Sequence, residues 1–488
     1  MFSILAQNAA QESVPVTSLI ALLIFGIVFL LVLILKFKLQ AFLALIVVSV
    51  IVSIGATFVN PDQAAGLTEI GQTIVKSMGG ALGFIATIIG IGAIFGAMLE
   101  HSGGTQSLAN TLVRKFGQKK APWAMLLTGF IISIPVFLDV ALVILAPLLY
   151  ALARDTKKSV LVFGLPLVAG MAVTHAFVPP TPGPVAVAYF LNVNLGYVIG
   201  FGVLVGLPTA IICGPFLCSR MAKLVEVTTP TDQGEDLTSE EKKLPSFLQI
   251  ASLIALPIAL ILAGTIVEQS AISGIDPGLT KAERNAQVAD ILNSMPTTNQ
   301  VIHFLGHPVI ALMISTLLAI FFLGISRGTS KEDLVEISTN ALGPAGIIIL
   351  ITGAGGVFKG VLIATGIADA LKEVFIGSPI PIIVLAYIFA TLVRIAQGSA
   401  TVAMLTAAGL MASFVEGFTQ PYLALIACAI AAGATGFSHV NDSGFWMISR
   451  YLGMTEKQTL KTWTVISTAI SLVSFGIILI LSLFIPMK

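Results

Sequence analysis

Residues 174–190 read THAFVPPTPGPVAVAYF and set four prolines, Pro179, Pro180, Pro182 and Pro184, into six positions of a long apolar stretch. Proline has no N–H to give and its ring clashes with the preceding turn, so a helix stops there. In a bilayer each backbone group freed by such a stop costs several kcal/mol unless something satisfies it. A chain that breaks its own helix in lipid therefore uses the break.

Composition says that the surroundings are lipid. The chain has 488 residues, 56% of them hydrophobic and 10% charged, with a mean hydropathy of +1.00. A soluble domain carries about 25% charged residues. The net charge of +1 and the lack of basic clusters interleaved with aromatics exclude a nucleic-acid partner. Cys213, Cys218 and Cys428 lie in apolar segments without CxxC or paired His/Cys spacing, so neither a metal, a disulfide framework nor a cofactor is expected. The start, MFSILAQNAAQES, has no positive n-region or cleavage-like site, so the first apolar run is expected to be a transmembrane helix.

About 20 apolar residues cross a bilayer, and 17–35, 39–59, 81–99, 197–218, 247–267, 307–325, 344–364 and 462–485 meet that length directly. Stretches 121–150, 160–191 and 380–415 are too long for one crossing and too short for two. Arg114, Lys115, Lys119 and Lys120 precede 121–150, and Arg154, Lys157 and Lys158 follow it, which makes both flanks cytoplasmic. That segment must then be a re-entrant hairpin bent at Pro135, its arms of about 14 residues reaching near mid-bilayer. Lys36 and Lys38, Arg220 and Lys223, Arg327 and Lys331, and Arg450, Lys457 and Lys461 also mark the inside, while loop 268–306 lies outside. The expectation is ten crossings and two hairpins, with both termini outside.

The halves match each other. At a shift of 263, Gly83, Gly90, Gly92, Phe95, Leu99, Gly103 and Leu108 align with Gly346, Gly353, Gly355, Phe358, Leu362, Gly366 and Leu371; at 261, Thr174 aligns with Thr435 and Gly183 with Gly444. Five crossings per half, an odd number, turn the second copy upside down, as in many secondary transporters. The chain is thus expected to be an all-α polytopic membrane protein of two inverted repeats, 1–218 and 247–488, joined by a cytoplasmic linker, 219–246. Hairpin 121–150 is mirrored by 380–415, and the broken helix 160–191 by 421–451, with SHVNDSG (Ser438–Gly444) opposite the proline run. Unwound backbone at that depth is tolerated where it lines a cavity, so four breaks are expected to meet around one binding site.

Most intramembrane polar groups sit at these breaks. The first half supplies Ser133, Asp139, Thr174, His175, Thr181 and Gly183; the second supplies Arg394, Gln397, Gly398, Ser399, Thr401, Ser438, His439, Asn441, Asp442, Ser443 and Gly444. An ionisable residue in a membrane is a functional candidate by default. Asp139 and Asp442 are candidate proton carriers, although capping of half-helices is open to each. His175 and His439 can exchange a proton or tie down broken backbone. Arg394 can hold a substrate carboxylate or pair with a buried aspartate. The GSAT turn, Gly398–Thr401, suits an anion. Elsewhere, TQSLANTLVRKF and IADALKEVF read as amphipathic helices on the membrane surface, TDQGEDLTSEE as a solvated linker, and His303 with His307 as too few ligands for a metal.

The strings SIPVFLDVALVILAPLLYALAR, GLPLVAGMAVTHAFVPPTPGPVA, RIAQGSATVAMLTAAG and FSHVNDSGFWMISRYLGMTEKQTLKTW closely resemble the gluconate:proton symporter family of GntP-type permeases, over about residues 20–485. The resemblance implies uptake of gluconate or a related sugar or hydroxy acid with protons across a bacterial inner membrane. It also implies membership of a wider ion-transporter superfamily with paired hairpins, dimers and elevator-type motion. Its functional positions carry over to Asp139, Thr174, His175, 179–184, 397–401 and 439–444. Sodium coupling and a passive anion channel are the alternatives, and the absence of HExxH, GxSxG or paired-carboxylate motifs argues against an enzyme.

Overall fold

The computed structural model describes residues 16–61, 66–227, 244–272, 275, 281–376, 381–412, 414, 415 and 417–487. The leader before residue 16 and the acidic part of the linker lie outside them. The first half contains α1 (Val16–Leu35), α2 (Ala41–Val59), α3 (Ile70–His101), α4 (Gly104–Phe116), α5 (Ala121–Ile132), α6 (Leu138–Thr156), α7 (Leu161–Phe177), α8 (Pro182–Leu191) and α9 (Leu195–Ile211). The second contains α10 (Phe247–Ile272), α11 (Lys281–Ser294), α12 (Thr297–Gly306), α13 (Pro308–Ala319), α14 (Lys331–Ala364), α15 (Ile367–Ile376), α16 (Ile382–Gln397), α17 (Ala400–Met411), α18 (Gln420–Thr435), α19 (Ser443–Tyr451) and α20 (Glu456–Ser482).

Among the described residues nine helices, counting α7–α8 as one, are long and apolar enough to cross a membrane. The shorter apolar helix α18, of 16 residues, is followed by the nine-residue α19 after an unwound segment, 436–442. The stretches 121–150 and 380–415 each divide into two helices, α5 with α6 and α16 with α17. The order long helix, short helix, hairpin, broken helix, closing helix runs once through α3–α9 and again through α14–α20.

Three features differ from the sequence reading. Helices α3 and α14 begin at 70 and 331, well before the apolar runs at 81 and 344, because hydropathy sees only the part that needs lipid. The Ser330 hydroxyl, accepting from Asp333 N at 3.0 Å, caps α14 in its polar extension. Loop 268–306 contains two helices, α11 and α12, and Gly306 of α12 meets Gly264 of α10 with no room for a side chain. Finally, α4 and α15 bury their apolar faces in protein: Leu108, Ala109 and Leu112 are buried, as are Ile367, Ala368 and Ala370, and Ser107 donates to Pro245 O at 2.5 Å. An amphipathic pattern fits a protein groove as well as a lipid surface, so periodicity alone does not separate the two.

Lipid tails are as apolar as leucine, so helices in a membrane gain by close packing, which small residues permit. Glycines do this where each hairpin meets its broken helix. A Cβ at Gly129 of α5 would overlap the Leu167 carbonyl of α7, and one at Gly170 of α7 would overlap the Leu126 carbonyl. Gly433 of α18 is pressed in the same way against the Tyr387 carbonyl of α16. The halves then cross over: α8 packs on α17, and α6 packs on α19.

Candidate functional site

The second break, between α18 and α19, keeps its unwound backbone paired. Phe437 N donates to Thr468 Oγ1 and Ser438 N to Ser467 Oγ, each at 3.3 Å, while Thr464 Oγ1 donates to Ser438 O at 2.5 Å. Arg394, at the end of α16 and 4% exposed, spreads its guanidinium over the same gap. Its Nε donates to Gly436 O at 3.1 Å, Nη1 to Gly398 O, and Nη2 to Asp442 Oδ2 at 2.5 Å. Ser438 Oγ donates to the same Oδ2 at 2.5 Å and accepts from Trp463 Nε1 at 2.8 Å. Asp442 Oδ1 accepts from Gly444 N at 2.9 Å and so caps α19. Asn441 Nδ2 and His439 Nε2 lie 2.9 and 3.2 Å from Ile395 O. Arg394 therefore pairs with aspartate.

The first break solves the same problem by deletion. Its four prolines carry no N–H, so few donors are left to satisfy. Val178 N bonds back to Thr174 O at 2.9 Å, and Thr181 Oγ1 closes on Val178 O at 2.7 Å. The Thr174 hydroxyl donates to Phe130 O at 2.7 Å and ties the break to the first hairpin. Beside it lies a small, partly open pocket. Gly92 and Ala93 of α3, Ile134 to Phe137 at the hairpin tip, and His175, Thr181 and Pro182 line it. The buried Nδ1 of His175 and the hydroxyl of buried Ser133 have no hydrogen-bond partner in the structure. Neither α6 nor α8 has a side-chain cap, whereas Ser399 caps α17 and Asp442 caps α19. The cavity thus faces two helix starts without side-chain caps; that of α6 carries roughly half a positive charge, while Pro182 and Pro184 remove two N–H groups from the start of α8.

The breaks from the two halves converge. Asp139, exposed in the first turn of α6, is within electrostatic reach of Asp442. Gly183 at the start of α8 rests on Met404 of α17. Gln397, at the second hairpin tip, buries both amide atoms without a partner. Thr401 is half-buried in the first turn of α17, and Ser443 is exposed in the first turn of α19, next to Gly444. The sequence reading missed the helix behind the second break: Thr464, Ser467, Thr468 and Ser471 recur at i, i+3, i+4 and i+7 on α20. That stripe of hydroxyls was the available signal. It also missed Lys359 of α14, which donates to Phe190 O at the end of α8 at 2.9 Å.

Comparison with known proteins gives the family and the fold. The sequence pattern of the GntP family permeases matches residues 18–484. The inner membrane permease YgbN of Escherichia coli (strain K12) is 37% identical over 469 residues, covering 94% of this chain and 97% of its own. A gluconate permease of Bacillus subtilis (strain 168) is 37% identical over 94% of this chain and 98% of its own. A low-affinity gluconate transporter of Escherichia coli (strain K12) is 36% identical over 92% and 94%. Among solved structures, Neisseria gonorrhoeae MtrF superposes with a TM-score of 0.61 at 14% identity, over 90% of this chain and 94% of that one. The Alcanivorax borkumensis YdaH transporter gives 0.57 at 16% identity, over 91% and 98%; at such identities these two speak for the fold alone. The family match over nearly the whole length, on an all-helical membrane fold shared with transporters, places this chain in the GntP permease family.

Proposed function

We propose that the protein imports gluconate, or a related small sugar or hydroxy acid, together with protons across a bacterial inner membrane. In this reading residues 1–218 and 247–488 are inverted copies, linked through 219–246, with both termini outside. Uptake proceeds by elevator-type alternating access in a homodimer. The substrate class rests on the relatives named as gluconate permeases and transporters. The observation that carries transport is the convergence of two helix breaks and two hairpin tips, one of each per half.

A gluconate-like guest is a monoanion with several hydroxyls. Its carboxylate belongs at the uncapped starts of α6 and α8, beside His175 and Ser133. Gln397, Ser399, Thr401, Asn441 and Ser443 offer neutral partners for hydroxyls, whereas Thr174 and Thr181 already tie backbone. Moving one charge against 100 mV costs about 2.3 kcal/mol, enough to hold an uncoupled anion roughly fifty-fold lower inside. One co-transported proton cancels that term, and Asp139 and Asp442 are the carboxylates able to carry it. Sodium coupling is less favoured, because the carbonyls of Gly398, Gly436 and Ser438 that would coordinate the ion already accept hydrogen bonds. A passive anion channel would need no proton site. In proteoliposomes, gluconate should drive alkalinisation of the medium without sodium; uptake that needs sodium, or passes no protons, would replace this reading.

A further inference from the structure

We propose that, within the proton-coupled uptake put forward above, Asp139 alone takes and releases the proton, while Asp442 stays an anion bound to Arg394 throughout the cycle. Every hydrogen-bond partner of Asp442 is a donor. Oδ2 accepts from Arg394 Nη2 and Ser438 Oγ, and Oδ1 accepts from Gly444 N. Trp463 donates to Ser438 Oγ, which turns the serine proton toward the carboxylate. A protonated Asp442 would set its own proton against one of these donors, and burying Arg394 unpaired is expensive. The pair is a weld: it joins the tip of α16 to the start of α19, so the second hairpin and second break move as one neutral body.

Asp139 is the opposite case. It is exposed, and no side chain or backbone N–H bonds its carboxyl among the described residues. It sits in the first turn of α6, where an anion consumes the partial positive charge that a substrate carboxylate would use. Protonation from outside releases that charge to the guest; loss of the proton inside restores the Asp139 anion and expels the guest. Proton and substrate thereby favour each other's binding, and nothing else changes charge. The ionisable groups on the elements around α6 are few. They are His175 on α7, Asp442 at the start of α19, Glu100 and His101 at the end of α3, and Arg114 and Lys115 at the end of α4. Arg450 and Tyr451 lie toward the far end of α6, where Tyr150 donates to Tyr451 O at 2.8 Å.

The test uses the full chain in proteoliposomes and reads [14C]gluconate exchange against pH. The wild type should vary at least tenfold between pH 5.5 and 8.5. Asp139→Asn should give a flat profile and no gluconate-driven alkalinisation. Arg394→Gln and Asp442→Asn should each cut exchange at least tenfold, and the charge-neutral double variant should recover at least fivefold over either while keeping the pH dependence. A double variant with a flat profile, or Asp139→Asn with a wild-type profile, overturns the proposal, as does His175→Gln flattening the profile while Asp139→Asn does not. A wild type that accumulates gluconate without protons removes the parent reading; the weld is then judged by recovery of exchange in the double variant alone.

Discussion

Gly398, at the tip of the second hairpin, lies directly against the Asn441 carbonyl of the second break, backbone to backbone. Its φ of +79° is left-handed, and a Cβ there would overlap the Asn441 carbonyl. Gly398→Ala therefore meets both a left-handed penalty of about 1–2 kcal/mol and an overpacking cost of about 1–3 kcal/mol. Uptake should fall more than tenfold, with a lowered melting temperature in detergent. Wild-type uptake by this variant would mean that hairpin and break need not touch.

Gly92 tests the cavity separately from the fold. It lines the space beside His175, and a Cβ there would meet nothing within 4 Å. Gly92→Leu should fold with an undiminished melting temperature yet lose gluconate uptake, since the new side chain occupies room that a guest needs. Unchanged uptake would move the binding site elsewhere.

Gly170 and Gly433 play matching roles in the two halves, each seating a broken helix on its hairpin. Valine at either position should cost about 1–3 kcal/mol by overpacking. Thermal unfolding should show losses of similar size for Gly170→Val and Gly433→Val. Strongly unequal losses would argue that the two hairpins are not held alike.

Two polar residues at the breaks should separate binding from support. The Thr174 hydroxyl holds Phe130 O in a buried place, so Thr174→Val should lower stability by about 0.5–1.5 kcal/mol and leave the KM for gluconate within twofold. Gln397 buries an amide without partners, which costs about 1–3 kcal/mol. Gln397→Leu should raise the melting temperature and raise KM severalfold. The reverse pattern would exchange the roles of the two side chains.

Much of this was legible from the chain alone. Runs of about 20 apolar residues have to cross lipid, and Pro135 within 121–150 marks the gap between the end of α5 and the start of α6. Four prolines in six positions have to end a helix before Pro179 whatever surrounds it, as α7 does at Phe177, and the glycine register at a shift of 263 pairs α3 with α14. These are local, one-dimensional constraints.

Which polar groups are free and which are spent depends on partners distant in sequence, and only the tertiary structure decided it. Asp139 and Asp442 look alike in the sequence, yet one is exposed and the other is held by Arg394, Ser438 and Gly444 N. The hydroxyl stripe of α20 means little until the second break lies against it, and α4 reads as a surface helix until α5, α6 and α10 cover its apolar face. The physical reason is common to all three: a hydrogen bond or a buried contact belongs to a pair, and the chain writes down only one member at a time.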